Sequence, residues 1–301
     1  MKINLSPEVQ AAVDDDLPLV ALESTVIAHG LPHPVNLKTA FAMETIVREG
    51  GAVPATIAVF GGECCVGLTH DQLTQLGTRR DIRKISRRDL AIAAAQRLDC
   101  ATTVATTSFF ANRSGIKVFA TGGIGGVHRG GAGDVSADLP ELARTPMIVV
   151  CSGAKIVLDL DATREWLETY GVPVLGWRCD EMPAFYSRSS GLALDARVDD
   201  AGQVAEIALA RDGLDLPEAI VVTVPIPAEY EIPKAELESI LDGILNDAST
   251  RGVKGKEITP FLLSEMSRAT AGRTLTANIE LLKNNARVAA EIAIAVASST
   301  T

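Results

Sequence analysis

The chain has little that would cross-link it, carry it into a membrane or attract it to a polyanion. Its 301 residues include only five cysteines: Cys64, Cys65, Cys100, Cys151 and Cys179. The count is odd and no C-x-x-C pair occurs, which argues against a disulfide framework and against a structural zinc site. Four of the five lie in or beside apolar runs, where buried thiols usually sit. No apolar run approaches the ~20 residues that span a bilayer, and the opening MKINLSPEVQ lacks the apolar core of a signal peptide. A cytoplasmic protein without disulfides is expected. Lysine and arginine (28) are outnumbered by aspartate and glutamate (38), for a formal net charge of -10. That sign is wrong for a nucleic-acid binder, and the charges are interspersed, so the acidity reads as a solubility feature. No low-complexity linker or internal repeat interrupts the sequence. One domain over 1–301 is expected, with residues 1–16 as a peripheral N-terminal segment.

What the sequence does have is apolar residues, 47% of the chain, arranged in alternating patterns. Short runs rich in Val and Ile read as strands covered on both faces: 19–23, 55–60, 117–120, 147–151, 172–177 and 219–224. Helical patterns fall between them at 37–49, 88–98, 162–170 and 202–210, and the last third turns helical at 234–248, 259–269 and 275–297. This alternation predicts an α/β/α sandwich with a mostly parallel sheet and additional C-terminal helices packed back onto it.

Chemistry concentrates between Ile116 and Asp161. One strand run opens into a loop with seven glycines and His128; the next opens into Ser152-Gly153-Ala154-Lys155. Ligands of open α/β sheets bind beyond the carboxyl ends of the strands. The glycine loop fails as a dinucleotide fingerprint, because His128 occupies the last glycine position of G-x-G-x-x-G. Bare backbone can still approach a phosphate or a planar ring closely. His128 is either a general acid–base group or a surface histidine; His29 and His33, in the proline-bounded AHGLPHP turn, rank lower. Asp138 reads equally as an N-cap, with Pro140 and Glu141 following it in the first helical turn. Asp134 has no such structural reason and suits a hard divalent ion completed by water.

Three further positions stand out. Glu23 follows the apolar run Val20-Ala21-Leu22, so burial should raise its carboxyl pKa and let it donate a proton near neutrality, or else it forms a salt bridge. Lys155 has apolar neighbours on both sides. A buried amine is driven toward its neutral, nucleophilic form and can make a Schiff base; the alternative is a lysine snorkelling from a helix start. Lys84, Arg87 and Arg88 form either a phosphate site or a solvated helix start with Ser86 as its cap. On the last helix, Asn278, Leu282, Asn285, Ala289, Ile292 and Val296 share one stripe. Either each of its two asparagines bonds neighbouring backbone, or Asn278 reaches a ligand.

Eight ordered strings carry a resemblance: ALESTVIAHGLPHPVN, KISRRDLAIAAAQ, ATTVATTSFFANRSGIKVFATGGIGGVHRG, DVSADLPELA, VVCSGAKIVLDLDATREWLETYGVPVLGW, EMPAFYSRSSG, EITPFLLSEM and ANIELLKNNA. From about residue 18 to the C-terminus the chain resembles the pseudouridine-5'-phosphate glycosidases, a family that includes the indigoidine synthase A proteins. The resemblance implies a homotrimeric lyase that reversibly cleaves the C–C glycosidic bond of pseudouridine 5'-phosphate to uracil and ribose 5-phosphate, usually with Mn²⁺. By the same resemblance, Lys155 is the Schiff-base nucleophile, Glu23 the proton donor and Asp134 the metal ligand. Lys84, Val104 and Ser136-Ala137-Asp138 match substrate contacts, and His128 and Asn278 further active-site positions. His128 and Asp138 are the candidates for protonating uracil C5. Two departures occur: Val224 stands where the family commonly has Asn, and the segment between His128 and Asp134 is short and made of Gly and Ala apart from Arg129. The alternatives are a Schiff-base lyase or aldolase acting on another sugar phosphate, and a nucleotide-binding protein without catalysis.

Overall fold

The computed structural model describes residues 1–129, 133–253 and 258–299. The strands are β1 (Ile3–Leu5), β2 (Leu19–Leu22), β3 (Val53–Phe60), β4 (Glu63–Val66), β5 (Arg83–Ile85), β6 (Cys100–Thr102), β7 (Val118–Ala120), β8 (Val127–His128), β9 (Ile148–Cys151), β10 (Leu158–Asp159), β11 (Val174–Trp177), β12 (Ala196–Val198) and β13 (Ile220–Thr223). The α-helices are α1 (Pro7–Asp14), α2 (Val35–Glu49), α3 (His70–Thr78), α4 (Leu90–Ala95), α5 (Val104–Arg113), α6 (Asp138–Leu142), α7 (Leu160–Thr169), α8 (Ala201–Gly213), α9 (Lys234–Thr250), α10 (Ile258–Ala269) and α11 (Arg273–Ser299).

The main sheet runs β1-β4-β3-β2-β7-β9-β13-β11-β12, with β6 joined to β3 and β5 to β6. From the first half of β3 through to β12 every neighbouring pair is parallel. The expectation of a mostly parallel sheet therefore holds; five of the six strand runs read from sequence lie in this part, and the sixth, 55–60, reaches from it into the antiparallel edge. Every residue of β2, β7, β9, β11 and β13 is buried. Strands covered on both faces need apolar residues at every position, which is why these read as unbroken runs rather than alternating ones. β3 bridges two regions: Val53–Thr56 pairs with β2, whereas Ile57–Phe60 pairs antiparallel with β4 and, in part, β6.

Helices flank the sheet. The 27-residue α11 crosses β2, β7 and β9 and packs beside α2 and α8, while α5 and α6 pack together and α5 contacts β2, β3 and β7. The C-terminal helices thus return to the sheet as expected. Among the described residues no helix is long and apolar enough to cross a membrane. All five cysteines are free, and burial pushes the Cys151 thiol up to about 12, leaving it an inert core residue.

Several expectations are corrected. The first sixteen residues lie at the sheet edge, where β1 pairs with β4, and Val9 and Ala12 of α1 are buried in the main core. Helix α5 has no counterpart in the sequence reading. Its sequence, VATTSFFANR, is rich in β-branched and hydroxyl residues of low helix propensity, and seven of its ten residues are buried, so no amphipathic stripe marks it. Its two threonine hydroxyls are satisfied internally, Thr106 Oγ1 donating to Ile85 O (3.1 Å) and Thr107 Oγ1 to Thr102 Oγ1 (2.9 Å), whereas the buried Ser108 hydroxyl has no partner among the described residues. The predicted helix at 88–98 is shorter, a 3₁₀ turn over Arg87–Asp89 followed by α4. Lys155 begins no helix; α7 starts five residues later, at Leu160.

Candidate active site

β2, β7 and β9 are consecutive parallel neighbours, so their carboxyl ends lie side by side. The chain leaves β2 toward β3 on one side, whereas β7 is followed by β9 on the other. Such a switch point leaves a crevice beyond the strand ends. β2 delivers Glu23 there, β7 delivers Thr121 and the first loop glycines, and β9 delivers Ser152 to Lys155. A cavity of about 510 Å³ opens at this place, with Glu23, Lys84, Lys155 and Asn278 all in its wall. Four residues singled out from sequence segments as far apart as 23 and 278 are thereby brought together.

Glu23 is buried, and the Thr121 hydroxyl donates to its Oε1. Burial raises its pKa above the ordinary 4.5; the positive charge of Lys155 and the Thr121 hydrogen bond oppose the rise, the negative charge of Asp138 adds to it, and Lys84 opposes it. The result is a carboxyl group that keeps its proton at higher pH than a surface glutamate. The two lysines that oppose the rise stand in the same cavity wall, so the alternatives of proton donor and charge partner coincide at one site.

Local backbone geometry sets Lys155. Gly153 has φ +81°, and a Cβ there would lie 2.2 Å from Pro183 O. Only glycine permits both the left-handed turn and this approach. The Lys155 N–H donates to Ile124 O (3.2 Å), and Leu158 N donates back to Lys155 O (3.0 Å). The lysine therefore sits on a pinned, irregular turn between β9 and β10.

Asp138 is not the N-cap expected of it. Ala137 holds that position in α6, and both carboxylate oxygens of Asp138 are used elsewhere: Oδ1 accepts from Ala105 N (3.0 Å) and Oδ2 from Gly125 N (2.9 Å). Asp138 thus clasps the glycine loop to the first turn of α5, where Val104 is buried. A Cβ at Gly125 would meet Ser136 Oγ at 2.1 Å and Asp138 Oδ2 at 2.7 Å, so this glycine is required by close approach. Val104, Ser136, Ala137 and Asp138 surround the loop without lining the cavity.

His128 lies on β8, paired with Leu158 of β10, and its N–H donates to Asp134 O (2.9 Å). Asp134 is exposed. Neither residue is in the cavity wall. The segment between them includes Gly130, Gly131 and Ala132, which lie outside the described residues, as do Lys254 to Glu257, the last of which opens the EITPFLLSEM string. Among the described residues no group of three or more His, Cys, Asp and Glu side chains could hold a metal. The donor set at Asp134 is a single carboxylate, which suits a hard ion completed by water and phosphate oxygens.

The basic cluster separates. Only Lys84 lines the cavity; Arg87 pairs with the buried Glu141 (2.8 Å) and lies over the Phe109 ring, and Arg88 is exposed. The asparagines separate too. Asn285 is fully buried and its Nδ2 donates to Thr121 O (2.8 Å) and Ser152 Oγ (3.1 Å), tying the ends of β7 and β9 together. Two turns earlier Asn278 faces the cavity. Val224 is buried, its N–H donating to Cys151 O (2.7 Å), and is not in the wall.

Sequence reasoning undervalued several wall residues. His29 belongs to a single π-helical turn, Val26–Gly30, a form that recurs at functional sites. Phe185 and Tyr186 come from the loop after β11, and Ser267 and Arg268 from α10. Their segments lie within or directly beside the strings quoted above, yet no spacing rule distinguishes them from core or surface residues.

This geometry, a parallel α/β sheet with an acid and a lysine at the ends of strands flanking a common neighbour, is that of an enzyme cleft. The chain belongs to the indigoidine synthase A-like family, whose model, described as "Indigoidine synthase A like protein", matches residues 8–295. It is 52% identical to a protein of Caldanaerobacter subterraneus subsp. tengcongensis named pseudouridine-5'-phosphate glycosidase, over 97% of this chain and 96% of that one. It is 51% identical to the protein of the same name from Herpetosiphon aurantiacus, over 99% of both chains. Among solved structures it is similar to an indigoidine synthase A-like protein of Thermotoga maritima (37% identity, TM-score 0.91, 99% of this chain and 97% of that one). It is also similar to the prealnumycin C-glycosynthase AlnA in complex with ribulose 5-phosphate (38% identity, TM-score 0.92, 100% and 98%).

Proposed function

We propose that this chain reversibly cleaves the C–C glycosidic bond of pseudouridine 5'-phosphate, giving uracil and ribose 5-phosphate, through a Schiff base on Lys155. One observation carries the reading: Glu23 and Lys155 share one cavity at the ends of β2 and β9, in a chain about half identical to relatives named for this activity. A C–C glycosidic bond offers no leaving-group oxygen or nitrogen to protonate, so the paired-carboxylate route of ordinary glycosidases does not serve. Glu23, whose proton is retained by burial, protonates the ribose ring oxygen instead, and the sugar opens. The C1'–O4' bond gives way to a C1'–N bond as the Lys155 amine adds at C1' and sheds a proton, leaving a ring-opened secondary amine that still carries uracil. Once uracil C5 has gained a proton, the nitrogen lone pair forms a C1'=N bond as the C1'–C5 bond breaks, its electron pair returning to the uracil ring, so uracil departs and an iminium is left on Lys155. Hydrolysis then frees ribose 5-phosphate and restores the amine.

The proton to uracil C5 comes from His128 or Asp138. Asp138 acts on Glu23 electrostatically and has both oxygens engaged with backbone N–H groups, whereas His128 lies on β8 outside the cavity wall. Lys84 and Asn278 contact the substrate from the cavity wall. The Val104 turn and Ser136-Ala137-Asp138 shape the glycine loop around it. Asp134 would hold a Mn²⁺ ion, which would supply positive charge toward a phosphorylated substrate. The protein acts in the cytoplasm as a homotrimer. The neighbour named a C-glycosynthase with ribulose 5-phosphate supports a fold suited to C–C chemistry on sugar phosphates.

The test is uracil release from pseudouridine 5'-phosphate, with and without Mn²⁺, for the parent and Lys155→Ala. Ribose 5-phosphate with borohydride should leave a reduced adduct that peptide mapping places on Lys155. A parent that turns over yet gives no adduct there would sink the Schiff-base mechanism. Release of product from other sugar phosphates with no uracil requirement would favour a lyase of different specificity.

A further inference from the structure

Tyr186 is 2% exposed, and it belongs to the wall of the Glu23–Lys155 cavity. Its phenol makes no hydrogen bond to any of the described residues, and burial is the one influence acting on its pKa, which it raises. The hydroxyl is not among the buried side-chain atoms left without a partner, which among the described residues are Ser108 Oγ and Arg164 Nη1, so it keeps access to open space at the cavity wall. A phenylalanine would pack the same volume without the desolvation cost of the oxygen.

The ring is not loosely held. Phe185 N donates to Ser152 O (2.9 Å), Ile232 N donates to Tyr186 O (2.9 Å), and Ser187 Oγ donates to Ile232 O (2.5 Å). Phe185 itself adopts φ +61°, a left-handed conformation that bulky residues rarely take. Strain of this kind persists where the surroundings over-determine it, and it clusters at ligand sites. The Phe185 ring packs against the Gly123 backbone, where a Cβ would lie 2.8 Å from it. The same loop presses Pro183 O against Gly153, two residues from Lys155. The Tyr186 loop is thus built directly on the turn that carries the lysine.

We infer that Tyr186 is a substrate-binding residue whose hydroxyl hydrogen-bonds a sugar hydroxyl of the phosphorylated ligand beside Lys155. The choice of the sugar over the base follows from the loop's anchorage on the Ser152–Lys155 turn, where the proposed carbonyl chemistry takes place. The ligand's identity rests on the function proposed above; the assignment of the hydroxyl to a ligand rests on its missing protein partner and its place in the wall of the cavity.

The experiment compares parent and Tyr186→Phe in thermal unfolding, ribose 5-phosphate affinity by calorimetry, and uracil release. A melting temperature equal to or above the parent's, with ribose 5-phosphate bound about 3- to 10-fold more weakly, is expected for one neutral hydrogen bond lost to ligand. A lowered melting temperature would mean that the hydroxyl serves the fold, and unchanged affinity would mean that it meets no sugar; either overturns the inference. A parent that binds ribose 5-phosphate but releases no uracil would overturn the glycosidase reading while leaving the Tyr186 assignment to be decided by affinity. A parent that does not bind ribose 5-phosphate overturns the inference itself.

Discussion

Asp138→Asn separates a clasp from a bystander. The carboxylate accepts two backbone N–H groups, Ala105 through Oδ1 and Gly125 through Oδ2. Asparagine has the same shape but one acceptor oxygen, so one N–H must face an amide NH₂. Losing a hydrogen bond to a charged acceptor costs about 1.5–3 kcal/mol. Removing the negative charge from the first turn of α5 costs a further ~0.3–1 kcal/mol. A destabilisation of about 2–4 kcal/mol follows. With an unfolding entropy of about 2.1 cal/mol/K per residue, a chain of 301 residues loses about 1.6 °C per kcal/mol, so the melting temperature should fall by about 3–6 °C. The glycine loop would shift against the strand ends, and misplacement of this order lowers kcat/KM by up to ~100-fold. A third readout is specific to the charge. Asp138 raises the pKa of Glu23, so its removal should move the alkaline limb of the pH–rate profile to lower pH. A melting temperature within about 1 °C of the parent, with the limb unmoved, would refute the reasoning.

Other consequences can be measured alongside. Glu23 has a raised folded-state pKa, so the fold is favoured where the group is protonated, below its unfolded value near 4.5, and that advantage is lost as pH rises through the folded value. Glu23→Gln should therefore abolish turnover yet flatten the pH dependence of urea midpoints; an unaltered slope would contradict the burial effect. Asn285→Leu leaves Thr121 O and the Ser152 hydroxyl short of a partner in the core and should cost about 1–3 kcal/mol by denaturant titration, with parent-like stability refuting its bridging role. Gly153→Ala places a methyl 2.2 Å from Pro183 O at positive φ and should cost at least ~1–3 kcal/mol in thermal melts, with loss of the borohydride adduct at Lys155.

Much of the fold was legible because buried parallel strands must be apolar at every position. The runs at 19–22, 118–120, 148–151 and 220–223 are visible for that reason. Helix α5 was not, since a helix buried nearly all round has no stripe and its Thr and Ser residues read as loop. The short strands β1, β4, β5 and β6 are set by pairing with β3 and with one another rather than by strong local pattern.

At the site, chemical type was readable and geometry was not. Glu23 and Lys155 stand out because charge amid apolar residues is expensive and needs a reason. The sequence by itself determined which groups could act and that they would end up at strand ends. Tertiary structure alone decided which ends are neighbours, since strand order depends on long-range pairing. It placed Lys84 and Asn278 in the wall with Glu23 and Lys155, left His128 and Asp134 outside it, and turned Asp138 from a helix cap into a clasp. It also exposed Tyr186, whose missing partner is a property of three-dimensional surroundings that no local spacing encodes.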